Sequence, residues 1–253
     1  MTGGAFALHG GGEFLPGDEP FLADWLERAG RAHPTPAADG PVRVAIVPTA
    51  AARHRPDLAG AHGRAAIERV AARLDVAVSV TIVPIVDATS AADPTLAGLL
   101  GRADAIHLPG GDPDLIPALL AGTSALAAIV EALDRGAILA GASAGAMALA
   151  AWTWTPGGIV PGLALLPGPA LAIVPHADER SWTGAAARFG RALPTGVALL
   201  GLGERTGVVV PRDGSGPWPV IGEGEVRWRA ADAAPDEPPL IRRHGEVLEP
   251  RSA

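Results

Sequence analysis

Short runs of aliphatic and β-branched residues alternate along this chain with longer Ala-rich stretches of helical periodicity, and that alternation narrows the folds open to it. The run Val42–Pro48 (VRVAIVP) is apolar at nearly every position. Such a run suits a strand covered on both faces, as in a parallel sheet. Strands are expected at Ala5–His9, Val42–Pro48, Val76–Pro84, Asp104–Pro109, Ala137–Ala140, near Leu171–Val174 and at Val197–Leu202. Helices are expected at Pro20–Gly30, Asp57–Leu74, Pro94–Arg102, Ser124–Arg135 with Ser124 as its cap, Ala146–Trp152 and around Thr183–Leu193. His33–Pro41 reads as a Pro/Ala linker, and from Val208 onward the chain reads as β-hairpins with Gly/Pro turns. Strands that alternate with helices imply βαβ units, hence a three-layer αβα fold whose mostly parallel sheet has helices on both faces. In such sheets ligands sit beyond the carboxyl ends of the strands. Three Gly-rich turns follow strands here, at Gly10–Gly12, Gly110–Gly111 and Gly141–Gly145, and all three should fall on one edge.

Composition sets the outer limits. With 253 residues, 48% of them hydrophobic and 19% charged, the chain can bury one sizeable α/β core and reads as a single domain over residues 1–253. A formal net charge of −7 argues against a nucleic-acid partner, which needs a basic patch. The absence of cysteine rules out disulfides, thiolate metal sites and a cysteine nucleophile, and fits a reducing cytosol. The first residues, MTGGAFALHGGGEF, lack the basic and apolar regions of a signal peptide, so a cytoplasmic location is expected. The most apolar stretch, Ala125–Ala151, is broken by Glu131, Asp134 and Arg135, so no membrane span is expected.

Gly141-Ala142-Ser143-Ala144-Gly145 matches G-x-S-x-G between a strand and a helix. Small flanking residues allow a sharp turn that leaves the serine oxygen exposed. The following helix aims its free N–H groups at the site, where they favour a developing oxyanion. Ala144 is the natural first oxyanion donor and the Gly110-Gly111 turn a candidate for the second. The plainer reading, a small-residue turn that Ser143 merely caps, has about equal weight on the pentapeptide alone. A serine nucleophile needs a base, and the base an orienting carboxylate. Of seven histidines, His176 stands out because it follows an apolar strand and Pro175. His9 and His107 lie in or at the ends of strands and can be core residues, while His33, His54 and His62 read as solvated. Glu204 ends the run Leu199–Gly203 just before another apolar strand, as a site carboxylate would, or as a surface turn acid would.

With these residues in hand, the chain resembles the cyanophycinase and dipeptidase E group of serine peptidases. The likeness rests on LPGGD at 108–112, GASAGA at 141–146, PGLALLPG at 161–168 leading to Pro175-His176, RFGRAL at 188–193 and LLGLGERTGVVV at 199–210. It implies a class I glutamine amidotransferase-like fold, a flavodoxin-like arrangement of three layers. It also implies a catalytic Ser143–His176–Glu204 triad and an oxyanion hole from Gly111 and Ala144, with no metal or organic cofactor. Gly110, Asp112 and Arg188 are then substrate-binding positions, Arg188 resembling the family arginine that meets an acidic group. The implied activity is cleavage of small peptides or polymers at aspartyl, including β-aspartyl, residues in a cytoplasmic enzyme, with a homodimer left open. Where family members often carry Asn or Gln after the Gly-Gly turn, this chain has Asp112-Pro113, so the substrate is less defined than the mechanism.

Two other readings stay open. An α/β-hydrolase-type esterase would use Ser143–Glu204–His244, and a relative of the peptidases could bind without catalysing. Trp152, Trp154 and Trp182 fall near the site in sequence and read first as core packing, with a pocket wall as the second use.

Overall fold

The computed structural model describes residues 4–32, 40–234 and 237–250, so residues 33–39 of the expected linker, His33 among them, lie outside the described residues. The elements run β1 (Ala5–His9), α1 (Glu19–Ala32), β2 (Val42–Ile46), α2 (Pro56–Arg73), β3 (Val78–Ile82), α3 (Ala88–Ala91), α4 (Pro94–Gly101), β4 (Ala105–Leu108), α5 (Leu115–Leu120) and α6 (Ser124–Asp134). They continue through β5 (Ile138–Ala142), α7 (Ala144–Leu149), β6 (Trp152–Thr155), β7 (Gly158–Pro161), β8 (Leu171–Val174), α8 (Glu179–Ala192) and β9 (Ala198–Leu202). The chain closes on β10 (Thr206–Pro211), β11 (Trp218–Gly222), β12 (Glu225–Arg229), β13 (Leu240–Arg243) and β14 (Val247–Leu248).

Two expectations need correction. The helix expected at Ala146–Trp152 is α7, which ends at Leu149, because Ala150 turns to extended backbone and Trp152 opens a strand. The strand shows in WTWT itself, where half-buried tryptophans alternate with buried threonines in the period of two that a pleat demands. The cap of α6 is Thr123, not Ser124: Thr123 has extended backbone, and its Oγ1 accepts the Leu126 N–H at 3.3 Å.

The α/β architecture with flanking helices holds, and the strands divide between two sheets. The first has eight strands in the order β14-β11-β10-β1-β5-β4-β2-β3, and its β1, β5, β4, β2 and β3 are mutually parallel. The second has six, in the order β13-β12-β9-β8-β6-β7, with β6, β8 and β9 parallel. Alternate residues of the parallel strands serve opposite faces. Ala5, Ala7, Val44 and Ile46 pack with Trp25, Leu26, Ile67 and Val70 of α1 and α2. Phe6, Leu8, Ala45 and Ile106 pack the other way, with Ile116, Ile129 and Met147, and this core runs on into Ile173 and Leu200 of the second sheet. The far face of the second sheet is covered by Trp182 and Phe189 of α8. Each large side chain withdrawn from water here contributes about 1.5–3 kcal/mol, so the strand ends rest on well-packed ground. Among the described residues no helix is long and apolar enough to cross a membrane.

His9 and His107 are indeed core histidines. His9 Nε2 lies 2.9 Å from Asp18 Oδ1, with both side chains buried. His107 is buried without a hydrogen-bond partner on either ring nitrogen, parallel to Trp25 and edge-on to Phe14. Burial, with a smaller push from His9, lowers the His107 pKa to about 3, so the ring stays neutral in the fold. The unfolded chain takes up this proton near the ordinary histidine pKa, so the folded form loses stability as pH falls from about 6.5 toward 3. His107→Phe should therefore flatten the acid limb: between pH 7 and pH 5 the wild type should lose about 2 kcal/mol more than the variant. Urea unfolding at the two pH values measures this, and parallel losses in both proteins would rule it out.

Candidate active site

The Ser143 turn is built from close approach. A Cβ on Gly145 would stand 2.0 Å from the Leu108 carbonyl oxygen, and one on Gly141 would stand 2.7 Å from the Gly145 carbonyl carbon. Only bare backbone lets α7 fold back across β5 and against the end of β4. Ser143 between them has φ 49° and ψ −114°, a conformation costing an ordinary residue about 1–3 kcal/mol. Its N–H donates to His9 C=O at 2.9 Å, and its C=O accepts the Met147 N–H at 2.9 Å, so the helix starts at once. The three Gly-rich turns follow β1, β4 and β5, adjacent parallel strands, and fall on one edge as expected.

The second sheet brings the other two residues. His176 follows β8 and Glu204 follows β9, parallel neighbours whose carboxyl ends face that same edge. Ser143 Oγ lies 2.9 Å from His176 Nε2, and His176 Nδ1 lies 2.6 Å from Glu204 Oε1. A carboxylate can only accept, so Nδ1 carries the ring proton and Nε2 is left to accept from the serine hydroxyl. The His176 and Glu204 side chains are half exposed, at 49% and 53%. His244 lies elsewhere, its Nδ1 accepting the Gly222 N–H at 3.3 Å, so His176 is the histidine that meets Ser143.

The Gly110 and Gly111 amides part company. Gly110 N–H donates to Glu13 Oε1 at 2.8 Å, whereas the amides of Gly111 and Ala144 have no acceptor among the described residues. Gly111, Ser143 and Ala144 share the wall of a cavity of about 530 Å³. Its apolar side includes Met147, Trp154 and Phe189, and two arginines, Arg180 and Arg188, reach it from α8. Arg188 Cζ stands 4.7 Å from the centroid of the Trp154 ring. Of the three nearby tryptophans, Trp182 is core and Trp154 is pocket wall. Asp178 caps α8, and the Ser181 amide holds its carboxyl below the usual carboxylate range. Asp112 turns toward Arg53 and His54, at 3.4 and 3.3 Å, and does not line the cavity. Sequence reading missed Arg180 and the hold of Glu13 on Gly110. Arg180 carries no local signal beyond its place two residues past the cap of α8.

Ser143, His176 and Glu204 meet at the carboxyl edge of an α/β fold, an arrangement of the kind serine hydrolases use. Residues 37–214 match the model of peptidase family S51, and the chain belongs to that family as a serine-type peptidase. The fold is similar to the crystal structure of a peptidase from an acI-B1 Actinobacterium, at 25% identity and a TM-score of 0.76 over 97% of this chain and 96% of that one. A putative peptidase E protein from Listeria monocytogenes EGD-e shares the fold at 14% identity and a TM-score of 0.53, over 90% of this chain and 98% of that one. No curated protein matches the chain.

The packing at Gly145 makes a direct prediction. Gly145→Ala should destabilise the fold by about 1–3 kcal/mol, as overpacking does, and slow labelling of Ser143 by a fluorophosphonate. Denaturant midpoints together with labelling rates check both. Wild-type values in each would show that α7 and β4 have room to part.

Proposed function

We propose that this peptidase cleaves peptides next to an aspartyl or β-aspartyl residue, with Ser143 as nucleophile, His176 as base and Glu204 as its orienting acid. The observation that carries the reading is the unbroken line of contacts from Ser143 Oγ through the His176 ring to Glu204, at 2.9 and 2.6 Å. His176 Nε2 takes the hydroxyl proton as Oγ attacks the scissile carbonyl. The imidazolium so formed is stabilised by Glu204. The unpaired amides of Gly111 and Ala144 receive the oxyanion, each such donor contributing about 3–4 kcal/mol in related chemistry. His176 then returns the proton to the leaving nitrogen as the C–N bond breaks. Water, activated by the same ring, hydrolyses the acyl-serine.

The acidic specificity rests on Arg188. Its guanidinium lies against Trp154 in the cavity beside Ser143, which holds the fork flat and suits a carboxylate. Arg180 adds a second positive charge to the same cavity. Asp112 bears on substrate binding only through the turn it anchors, its N–H donating to Ala50 C=O at 2.7 Å and its carboxylate lying on Arg53 and His54. Gly110 contributes to substrate binding by shaping the turn, its amide being occupied by Glu13.

Ser143→Ala should abolish both turnover of aspartyl peptides and fluorophosphonate labelling while leaving the melting temperature unchanged. Glu204→Gln should slow turnover by up to ~10⁴-fold, the loss seen when a buried triad acid is neutralised, and by less where solvent screens a half-exposed carboxylate. Full activity in either variant would refute its assigned role. For Arg188→Ala, KM for an aspartyl peptide should rise at least about tenfold with little change in kcat, and the preference over the asparaginyl peptide should shrink. An unchanged preference would move acid recognition away from Arg188.

A further inference from the structure

We infer that Glu13 is a positioning residue for the reaction: the turn Gly10–Glu13, which contributes no reacting group, sets the places of those that do, and the Glu13 carboxylate aligns the oxyanion-binding turn. This rests on the roles proposed above for Ser143, His176, Glu204 and Gly111.

Four separate turns form the site, and the last residue of β1 together with the turn that follows it touches every one. His9 C=O accepts the Ser143 N–H, and Gly10 C=O accepts the His176 N–H, both at 2.9 Å. Gly11 C=O accepts the Arg205 N–H at 2.7 Å, next to Glu204. Glu13 Oε1 accepts the Gly110 N–H at 2.8 Å, across 97 residues of sequence. The contacts with the two triad partners are as close as backbone allows. A Cβ on Gly11, where φ is 136°, would stand 2.1 Å from His176 Cε1. A Cβ on Gly12 would stand 2.6 Å from Glu204 Oε2. Strain gathers at the same points. Of the six non-glycine residues with positive φ among the described residues, Phe14, Ser143, His176 and Arg205 each sit in one of the joined turns. Residues in such conformations persist only where surrounding contacts over-determine them.

Glu13 acts on one particular feature. Gly110 and Gly111 are successive residues, so fixing the Gly110 N–H toward Glu13 restricts the orientation of the next amide, the Gly111 N–H that would meet the oxyanion. A carboxylate is a strong acceptor for a backbone amide, which suits it to holding a glycine pair that has no side chains of its own to fix it. A Cβ at Gly110 would lie 2.9 Å from Glu13 Oε1 and 3.2 Å from Ser143 Cβ, so Glu13, the glycine turn and the nucleophile are in direct succession.

The test uses the whole protein with Glu13→Ala and Glu13→Gln, read by kcat and KM on an aspartyl peptide, by the rate of fluorophosphonate labelling at Ser143 and by melting temperature. The phosphonyl oxygen enters the same oxyanion site, so labelling reports on it without reference to the peptide. Glu13→Ala should lower kcat and the labelling rate about 10²–10³-fold, as loss of one oxyanion donor does, with KM little changed. Glu13→Gln keeps an acceptor oxygen and should recover most of both. Wild-type kcat in Glu13→Ala, or a Gln variant as slow as the Ala variant, would overturn the inference. Should Glu13→Ala fail to fold, the Gln variant at native melting temperature decides by the same two rates. Gly11→Ala, which presses a methyl against the imidazole, should suppress labelling, and normal labelling there would count against the turn as a template. A wild-type protein that neither labels nor cleaves would instead refute the proposed function, a result distinct from any of these.

Discussion

A peptide hydrogen bond, His176 N–H to Gly10 C=O, joins the carboxyl ends of the two sheets, with a second from Arg205 N–H to Gly11 C=O beside it. Neighbouring strands in one sheet are about 4.8 Å apart, so a single row of strand ends spreads its turns along a line. Five turns cannot converge on one serine in that arrangement. Here β1, β5 and β4 present three turns from the first sheet, and β8 and β9 present two from the second. The turn after β1 lies between them. Ser143, His176 and Glu204 reach one another because that turn is held from both sides.

Magnitudes show what does the holding. A backbone hydrogen bond contributes about 0.5–1.5 kcal/mol net, while each left-handed non-glycine residue costs about 1–3 kcal/mol. The interlocking bonds of the turns alone do not offset the strain at Phe14, Ser143, His176 and Arg205. The packed layers beneath do: Leu8, Leu108 and Leu202, at the ends of β1, β4 and β9, are essentially inaccessible to solvent and lie in one continuous core. Core stiffness is thereby converted into a fixed geometry at a half-exposed site. The same logic fits the pocket, where α8 is anchored by Trp182 and Phe189, capped by Asp178, and carries Arg180 and Arg188 at the rim.

Much of this was legible in the residues. Ser143, His176 and Glu204 could each be picked out because a reactive polar residue just past an apolar strand lies at the edge where ligands bind, and periodicity finds strands. The reading failed where local signals compete. Small residues after Ser143 continue a helical pattern up to Trp152, yet the alternation in WTWT belongs to a strand whose partners, β7 and β8, come later in the chain. Thr123 and Ser124 are both good caps, and only the backbone angles choose between them. Trp154 read as core because aromatic residues usually are, and its position against Arg188 depends on a helix that begins 25 residues further on. Nothing local to Glu13 points to Gly110, its partner 97 residues away.

The sequence by itself determined most of the elements, the α/β class and the candidate positions Ser143, His176 and Glu204, because each shows in periodicity or in neighbours within a few residues. Tertiary structure alone decided that the strands form two sheets, that Gly111 rather than Gly110 keeps a free amide, that Asp112 faces Arg53 and that Glu13 braces the glycine turn. These are contacts between distant segments. They follow from which strand ends the packed core brings within 3 Å of one another, and no local pattern of residues encodes that distance.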